Sequence, residues 1–301
     1  MSWILTEELK LPQARLQYEL WNGKLLLFYK QRWNICDVST GSTSISLQNV
    51  DVFPAVRDFD RITTTIPSCV NQISDELIAF GYINKILIYN IRVRKIIKEI
   101  PIADTKSIDY IHLLSNGGLL CKSNASLFSL KVSKDKIFIY HDFKYDLNIG
   151  KFLIAITNDE GLITTNDEYL IKEISMYDSK QQHIKTLIYP DLPPSRRLMV
   201  YDNEYLYSVN QFHNIIKWSL NTGEVLTSLD THDQLKKICI FDDYILTYNN
   251  SKMKIWNMNL ECEAVFNLCN DEDQIVDICV LQDSRISVSI SDRSTVIYSL
   301  L

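Results

Sequence analysis

An all-β fold of repeated four-stranded units is predicted by two side-by-side copies of one pattern and by a period that runs through the whole chain. The first copy is RLMVYDNEYLYSVNQFHNIIKWSLNTGEVLTSL from Arg197, and the second is LKKICIFDDYILTYNNSKMKIWNMNLECEAVFNL from Leu235. Each reads as four short apolar stretches separated by polar turns, with Trp218 and Trp256 at the same place in the third stretch. Equivalent positions recur at Cys36, Tyr89, Phe128, Met176, Trp218, Trp256 and Tyr298, spaced 38 to 53 residues apart. A period of about 40 residues with four strands per copy is the pattern of β-propeller blades, whose sheets must stack on neighbours to bury their faces. The expectation is one domain over residues 1–301, a seven-bladed β-propeller of four-stranded antiparallel blades.

The elements follow in order. SWILTEEL, from Ser2, is a strand-sized piece ahead of the first full repeat. The first blade takes ARLQYELWN from Ala14, KLLLFYK from Lys24, RWNICDV from Arg32 and STSISL from Ser42. Its turns at Asn22-Gly23 and Ser39-Thr40-Gly41 carry glycine for the positive φ of tight hairpins. Residues 48–65, including FPAVRDFDR, break the period and read as a longer connection. The second blade takes SCVNQIS, LIAFGY, KILIYNI and KIIKEI between Ser68 and Ile100, and the third SIDYIHLLS, GLLCKS, SLFSLKV and KIFIYHDF between Ser107 and Phe143. The fourth takes GKFLIAITN, GLITTND, YLIKEISMYD and HIKTLIYPD between Gly150 and Asp191, and the two quoted copies are the fifth and sixth. The seventh supplies only QIVDICVLQD, RISVSISD and STVIYSLL. It lacks an outer strand, while the N-terminus has one to spare. SWILTEEL is therefore expected beside STVIYSLL, closing the ring and removing exposed edges.

Composition narrows the class. A chain of 301 residues buries enough surface to need no metal or disulfide. Hydrophobic residues at 46% exclude a disordered chain, and a net charge of −6 argues against a nucleic-acid binder. The N-terminus has acidic Glu7 and Glu8 where a secretion signal would be apolar, and no apolar run is long enough to span a bilayer. The seven cysteines are odd in number and contain no CxxC pair, which speaks against a disulfide framework or a zinc site. Cys239 and Cys279, 40 residues apart at equivalent places, read as small buried residues. Reduced thiols point to an intracellular, cytoplasmic or nuclear setting.

On these residues the chain resembles the WD-repeat family over nearly its whole length. That resemblance implies a Gly-His pair before the first strand of each blade, an Asp before the third and Trp-Asp at its end. The sixth blade matches best, with Thr231-His232, Asn250 and Trp256-Asn257, and the seventh keeps Asp292. The family's buried hydrogen-bond network is expected in the sixth blade alone, from His232, Thr247, Asn250 and Trp256. Elsewhere stability is expected from apolar packing.

No motif of nucleophilic, phosphate-binding or metal chemistry appears. The five histidines are scattered over five repeats without ligand spacing, and only eight glycines exist to build phosphate loops. No cofactor or metal is expected. The paired acids Asp242-Asp243 and Asp271-Glu272-Asp273 read as solvated turns. The resemblance implies a non-enzymatic scaffold or adaptor that binds proteins or peptides as a subunit of a complex. The candidate partner-binding residues are Arg32, Tyr82, Phe212, His213 and Arg293, in turns expected on one face, because aromatics and arginine dominate interface energetics. Acidic turns at Asp230 to Asp233 and Asp271 to Asp273 suit a partner with a basic segment. The alternatives are a hydrolase with its site in the central channel, and a lipid or nucleic-acid binder. Ser195-Arg196-Arg197-Leu198, in a Pro-rich connection, departs from the Phe-Arg-Arg-Gly motif of phosphoinositide-binding propellers.

Overall fold

The strands are short because turn residues punctuate the chain every five to eight positions, and nearly all pair with their sequence neighbours. The computed structural model describes residues 3–29, 32–48, 67–102, 108–115, 117–123, 127–132, 137–138, 152–156, 161–165, 173–177, 183–188, 194–201, 204–210, 213–270, 273–291 and 293–300. Two compact units result, one of residues 9–148 and one of residues 1–8 with 149–301.

In unit 9–148 the sheets are 16–48, 69–101 and 108–138, each of four strands in sequential order. The outer strand of the last is the two-residue Ile137–Phe138. In the other unit, sheets 152–188, 194–230 and 237–267 repeat that order. A further sheet has the order Leu5–Leu11, Thr295–Leu300, Ile286–Ile290, Ile275–Val280. The N-terminal strand is thus its outer member, as the strand count predicts. Consecutive strands pair antiparallel throughout.

Pleat alternation builds the cores. In Leu77–Tyr82, the side chains of Ile78, Phe80 and Tyr82 join Leu26, Phe28, Trp33 and Ile35 of the preceding sheet. Ala79 faces the opposite way, joining Cys69, Ile86 and Ile88 against Ile108, Ile111 and Leu119 of the next. Sheets 194–230 and 237–267 meet through Tyr207, Val209, Ile215, Ile245 and Trp256, and 237–267 meets 275–300 through Leu246, Tyr248, Met253, Ile278 and Val288. Both faces of Leu77–Tyr82 are buried, so its sequence carries apolar residues on both faces.

Gly81 shows how tight this stacking is. A Cβ there would lie 2.6 Å from Cys69 Sγ and 2.9 Å from the Ile108 backbone oxygen, which cannot rotate away. Gly81→Ala is therefore expected to cost about 1–3 kcal/mol by overpacking, a fall of several degrees in melting temperature. An unchanged melting curve would mean that the two sheets are further apart.

The N-terminal strand is held by side chains as well as by pairing. Trp3 meets the Tyr244 ring edge-on at 4.8 Å and donates from Nε1 to Glu263 Oε2 at 3.2 Å. Glu8 accepts from Ser299 Oγ at 2.7 Å and from Arg285 at 3.1 Å, and Arg285 also holds Asp283. The Ser299 hydroxyl and then Arg285 keep the Glu8 carboxyl below its ordinary pKa. A folded-state pKa below the unfolded one gives stability that is present above the unfolded pKa and lost as pH falls through the folded value. Glu8→Gln is therefore expected to lower the melting temperature slightly at pH 7, with the gap closing below about pH 4. Thermal melts across pH 3–7 measure this, and a gap that widens in acid would refute it.

Among the described residues no helix is long and apolar enough to cross a membrane. Cys36, Cys69 and Cys121 are buried, whereas Cys239 and Cys279 are only half-buried, a correction to the expectation for that pair. Burial raises the Cys36 and Cys121 thiols above their ordinary pKa, so they are poor nucleophiles. Ser195 to Leu198 lie inside the strand Pro194–Tyr201, not in a connection as expected. The register of that strand jumps between Ser195 and Met199, a bulge that absorbs the extra residues.

Candidate interaction surface

The turns of sheets 237–267 and 275–300 are pinned by their own side chains. In sheet 237–267, Trp256 Nε1 donates to Thr247 Oγ1 at 2.9 Å, both buried. His232 does not join them. With φ +54 it points outward, 85% exposed, and contacts Asp230 at 3.2 Å. Asp233 occupies the inner position, accepting from Asn249 Nδ2 at 3.1 Å and pairing with Lys254. Asn249 Oδ1 also caps the backbone N–H of Ser251 and Lys252 at 2.9 and 2.8 Å. The turn residue is thus Asn249, and the expected Asn250 is exposed. A second copy of the tryptophan bond exists in sheet 194–230, where Trp218 Nε1 donates to Ser208 Oγ at 3.0 Å. The expectation of a network in the sixth repeat alone is corrected accordingly. Asp292 lies outside the described residues.

Lysines stitch sheet 194–230 to the backbone of 237–267, and 237–267 to that of 275–300. Lys217 Nζ donates to Met258 O at 2.8 Å while lying 3.9 Å from the centre of the Tyr205 ring. Lys236 reaches Ile275 O at 2.6 Å, and Lys237 reaches Ile278 O at 2.9 Å and Asp277 Oδ1 at 3.1 Å. Burial opposes the charged form of Lys237, yet Asp277 beside it holds the ammonium above its ordinary pKa. A lysine kept protonated and spent on carbonyls is a cross-link and not a nucleophile. Tyr248 also donates to Asp277 at 3.4 Å, and burial pushes its phenol upward.

The depression lined by Asp233, Leu235, Thr247, Tyr248, Asn249, Lys252 and Lys254 encloses 140 Å³ including open solvent. Sites that engulf a small molecule run to roughly 300–1,000 Å³, so this one offers a surface to a side chain and not a pocket to a substrate.

The sequence-predicted residues fare differently from one another. Arg32 opens the strand Arg32–Asp37 and is exposed, with no ion pair among the described residues. Tyr82 is corrected. It is 2% exposed, because it still pairs with Lys85 across a two-residue turn and falls on the same pleat face as Ile78 and Phe80. The exposed apolar residue of that turn is its neighbour Ile83, at 51%, followed by Asn84 at φ +54. Sequence spacing could have found it, since a turn tip lies one residue beyond the last ladder pair. Phe212 lies outside the described residues, as do Asp271 and Glu272. His213 has φ +67 and is half-buried, and its carbonyl accepts from Thr231 Oγ1 at 2.7 Å, so it braces a turn. Arg293 is exposed but pairs with Asp273, which ties the turn between the last two strands to the acidic turn before them.

No family model matches the chain, and no curated protein matches it in sequence. Solved structures do: 1393 chains resemble it, a number that identifies a common fold and no particular role. One is a chain of the crystal structure of the mitotic checkpoint complex, with a TM-score of 0.67 at 12% identity, covering 98% of this chain and 90% of that one. At such identity the likeness is one of fold. The fold is an all-β propeller of four-stranded antiparallel sheets.

Proposed function

We propose that this chain is a non-enzymatic interaction scaffold. Its sheets form a single WD-like, seven-bladed ring over residues 1–301, closed by the N-terminal strand, and it holds protein partners through its turns inside the cell. The observation that carries the reading is Ile83, a β-branched apolar side chain left 51% exposed at the tip of a two-residue turn. A turn tip gains nothing in folding from isoleucine, whereas an anchor in a partner's pocket gains most of its energy from such a residue. Arg32, in the neighbouring sheet and without an ion pair among the described residues, supplies a charged contact of the kind interfaces favour. The likeness to a chain of the mitotic checkpoint complex supports the reading by analogy, since that protein belongs to an assembly.

The test is affinity capture of the tagged chain from its native extract, beside a variant carrying Ile83→Ser and Arg32→Ala. Both residues are exposed, so the variant is expected to melt within about 1 °C of the parent while losing stoichiometric protein partners. Equal capture by both proteins would remove these residues from the interface. Capture of nothing by either would end the scaffold reading.

A further inference from the structure

We infer that the outer strand Val225–Asp230 is a docking edge for an extended segment of a protein partner, basic at its ends, which adds to the sheet as a fifth strand. The inference rests on the scaffold reading and names a second surface for it, away from the turns.

Every sheet here has an outer strand, and an outer strand carries backbone N–H and C=O groups that no neighbour pairs. Proteins normally guard such edges with charge. Lys95–Pro101 carries Lys95, Lys98 and Glu99, and the N-terminal strand Leu5–Leu11 carries Glu7, Glu8 and Lys10. Cys262–Asn267 carries Glu263, which accepts from Trp3 Nε1. Among the outer strands whose side chains are all described, Val225–Asp230 alone has no charge before its last residue. Five of its six residues are exposed, including Val225 at 40% and Leu226 at 48%. The bulge beside Trp218 recurs in four of the other sheets and does not distinguish it.

The charges at its ends select the occupant. Glu224 and Asp230 are both exposed and bracket the uncharged stretch. If two copies of this chain paired these strands antiparallel about Thr227, Glu224 of each would face Asp230 of the other, a repulsive register. A second copy is therefore disfavoured. A strand with lysine or arginine at both ends meets the same carboxylates favourably, and alternating side chains of its middle meet Val225 and Leu226.

The probe is a capped nonapeptide of alternating valine and threonine with two lysines at each end, titrated onto the full chain by fluorescence anisotropy. Amide hydrogen exchange is then measured with and without it. Expected are saturable binding, added protection within residues 225–230, and at least about a tenfold loss of affinity when alternate peptide amides are N-methylated, a change that removes donors and keeps the charge. Asp230→Asn is expected to weaken binding about threefold at low salt. No binding, binding without protection at 225–230, or equal binding by the methylated peptide would each overturn the inference. Those outcomes are distinguishable from failure of the scaffold reading, because partner capture through Ile83 and Arg32 does not depend on this edge.

Discussion

Deletion of residues 1–11 is expected to lower the melting temperature by about 10 °C or more and to make the chain prone to association. The strand Leu5–Leu11 is the outer member of sheet 275–300, and its removal strips hydrogen bonds from Thr295–Leu300. It also withdraws Trp3 and Leu5 from the core that Phe241, Tyr248 and Ile286 form, and it removes Leu11, which is itself buried. Burial of a leucine contributes about 1.5–3 kcal/mol by itself, so the total loss is several kcal/mol. The edge left bare is Thr295–Leu300 itself, whose Val296 and Ile297 are apolar. Differential scanning calorimetry of the intact and shortened chains measures the effect. A shift of only one or two degrees would mean that the strand decorates the sheet without completing it.

The second large effect is expected at Trp218. The side chain is 1% exposed and its indole N–H is satisfied by Ser208, itself fully buried. Trp218→Ala is expected to destabilise by about 3–5 kcal/mol, since it leaves a cavity and an unsatisfied hydroxyl together. Trp218→Phe keeps most of the apolar volume and loses the donor. Combined with Ser208→Ala it removes both polar partners, and the double variant is expected to cost less than the sum of the two single changes. Urea titrations with unchanged slope report these differences, and a Trp218→Ala cost under about 1 kcal/mol would remove this tryptophan from the core.

Much of the fold is legible in the sequence because each sheet repeats one division of labour. Short apolar strands alternate with polar turns, and the third strand ends in an aromatic or small buried residue at Cys36, Tyr89, Trp218 and Trp256. The spare N-terminal strand was countable for the same reason. Strand faces were harder to read. Tyr82 and Ile83 are adjacent, and spacing alone places both near a turn, yet pleat alternation sends the first inward with Phe80 and leaves the second outside. The network of sheet 237–267 is offset by one residue at each end, with Asp233 in place of His232 and Asn249 in place of Asn250. The cause is local backbone: the positive φ of His232 turns its side chain out and brings the next residue in. Ser208 was missed because a serine within YLYSVN gives no sign of facing an indole until the strands are registered. The lysine cross-links are equally silent in sequence, since the carbonyls of Met258, Ile275 and Ile278 that they reach belong to the next repeat.

The most direct test of the account is amide hydrogen exchange on the intact chain, residue by residue, over Leu5–Leu11 and Thr295–Leu300. A repeat fold completed by its own first strand requires the paired amides of both segments to exchange slowly and with similar opening free energies, as members of one cooperative sheet. Exchange of Leu5–Leu11 at the rate of an unfolded peptide, with Thr295–Leu300 still protected, would contradict it.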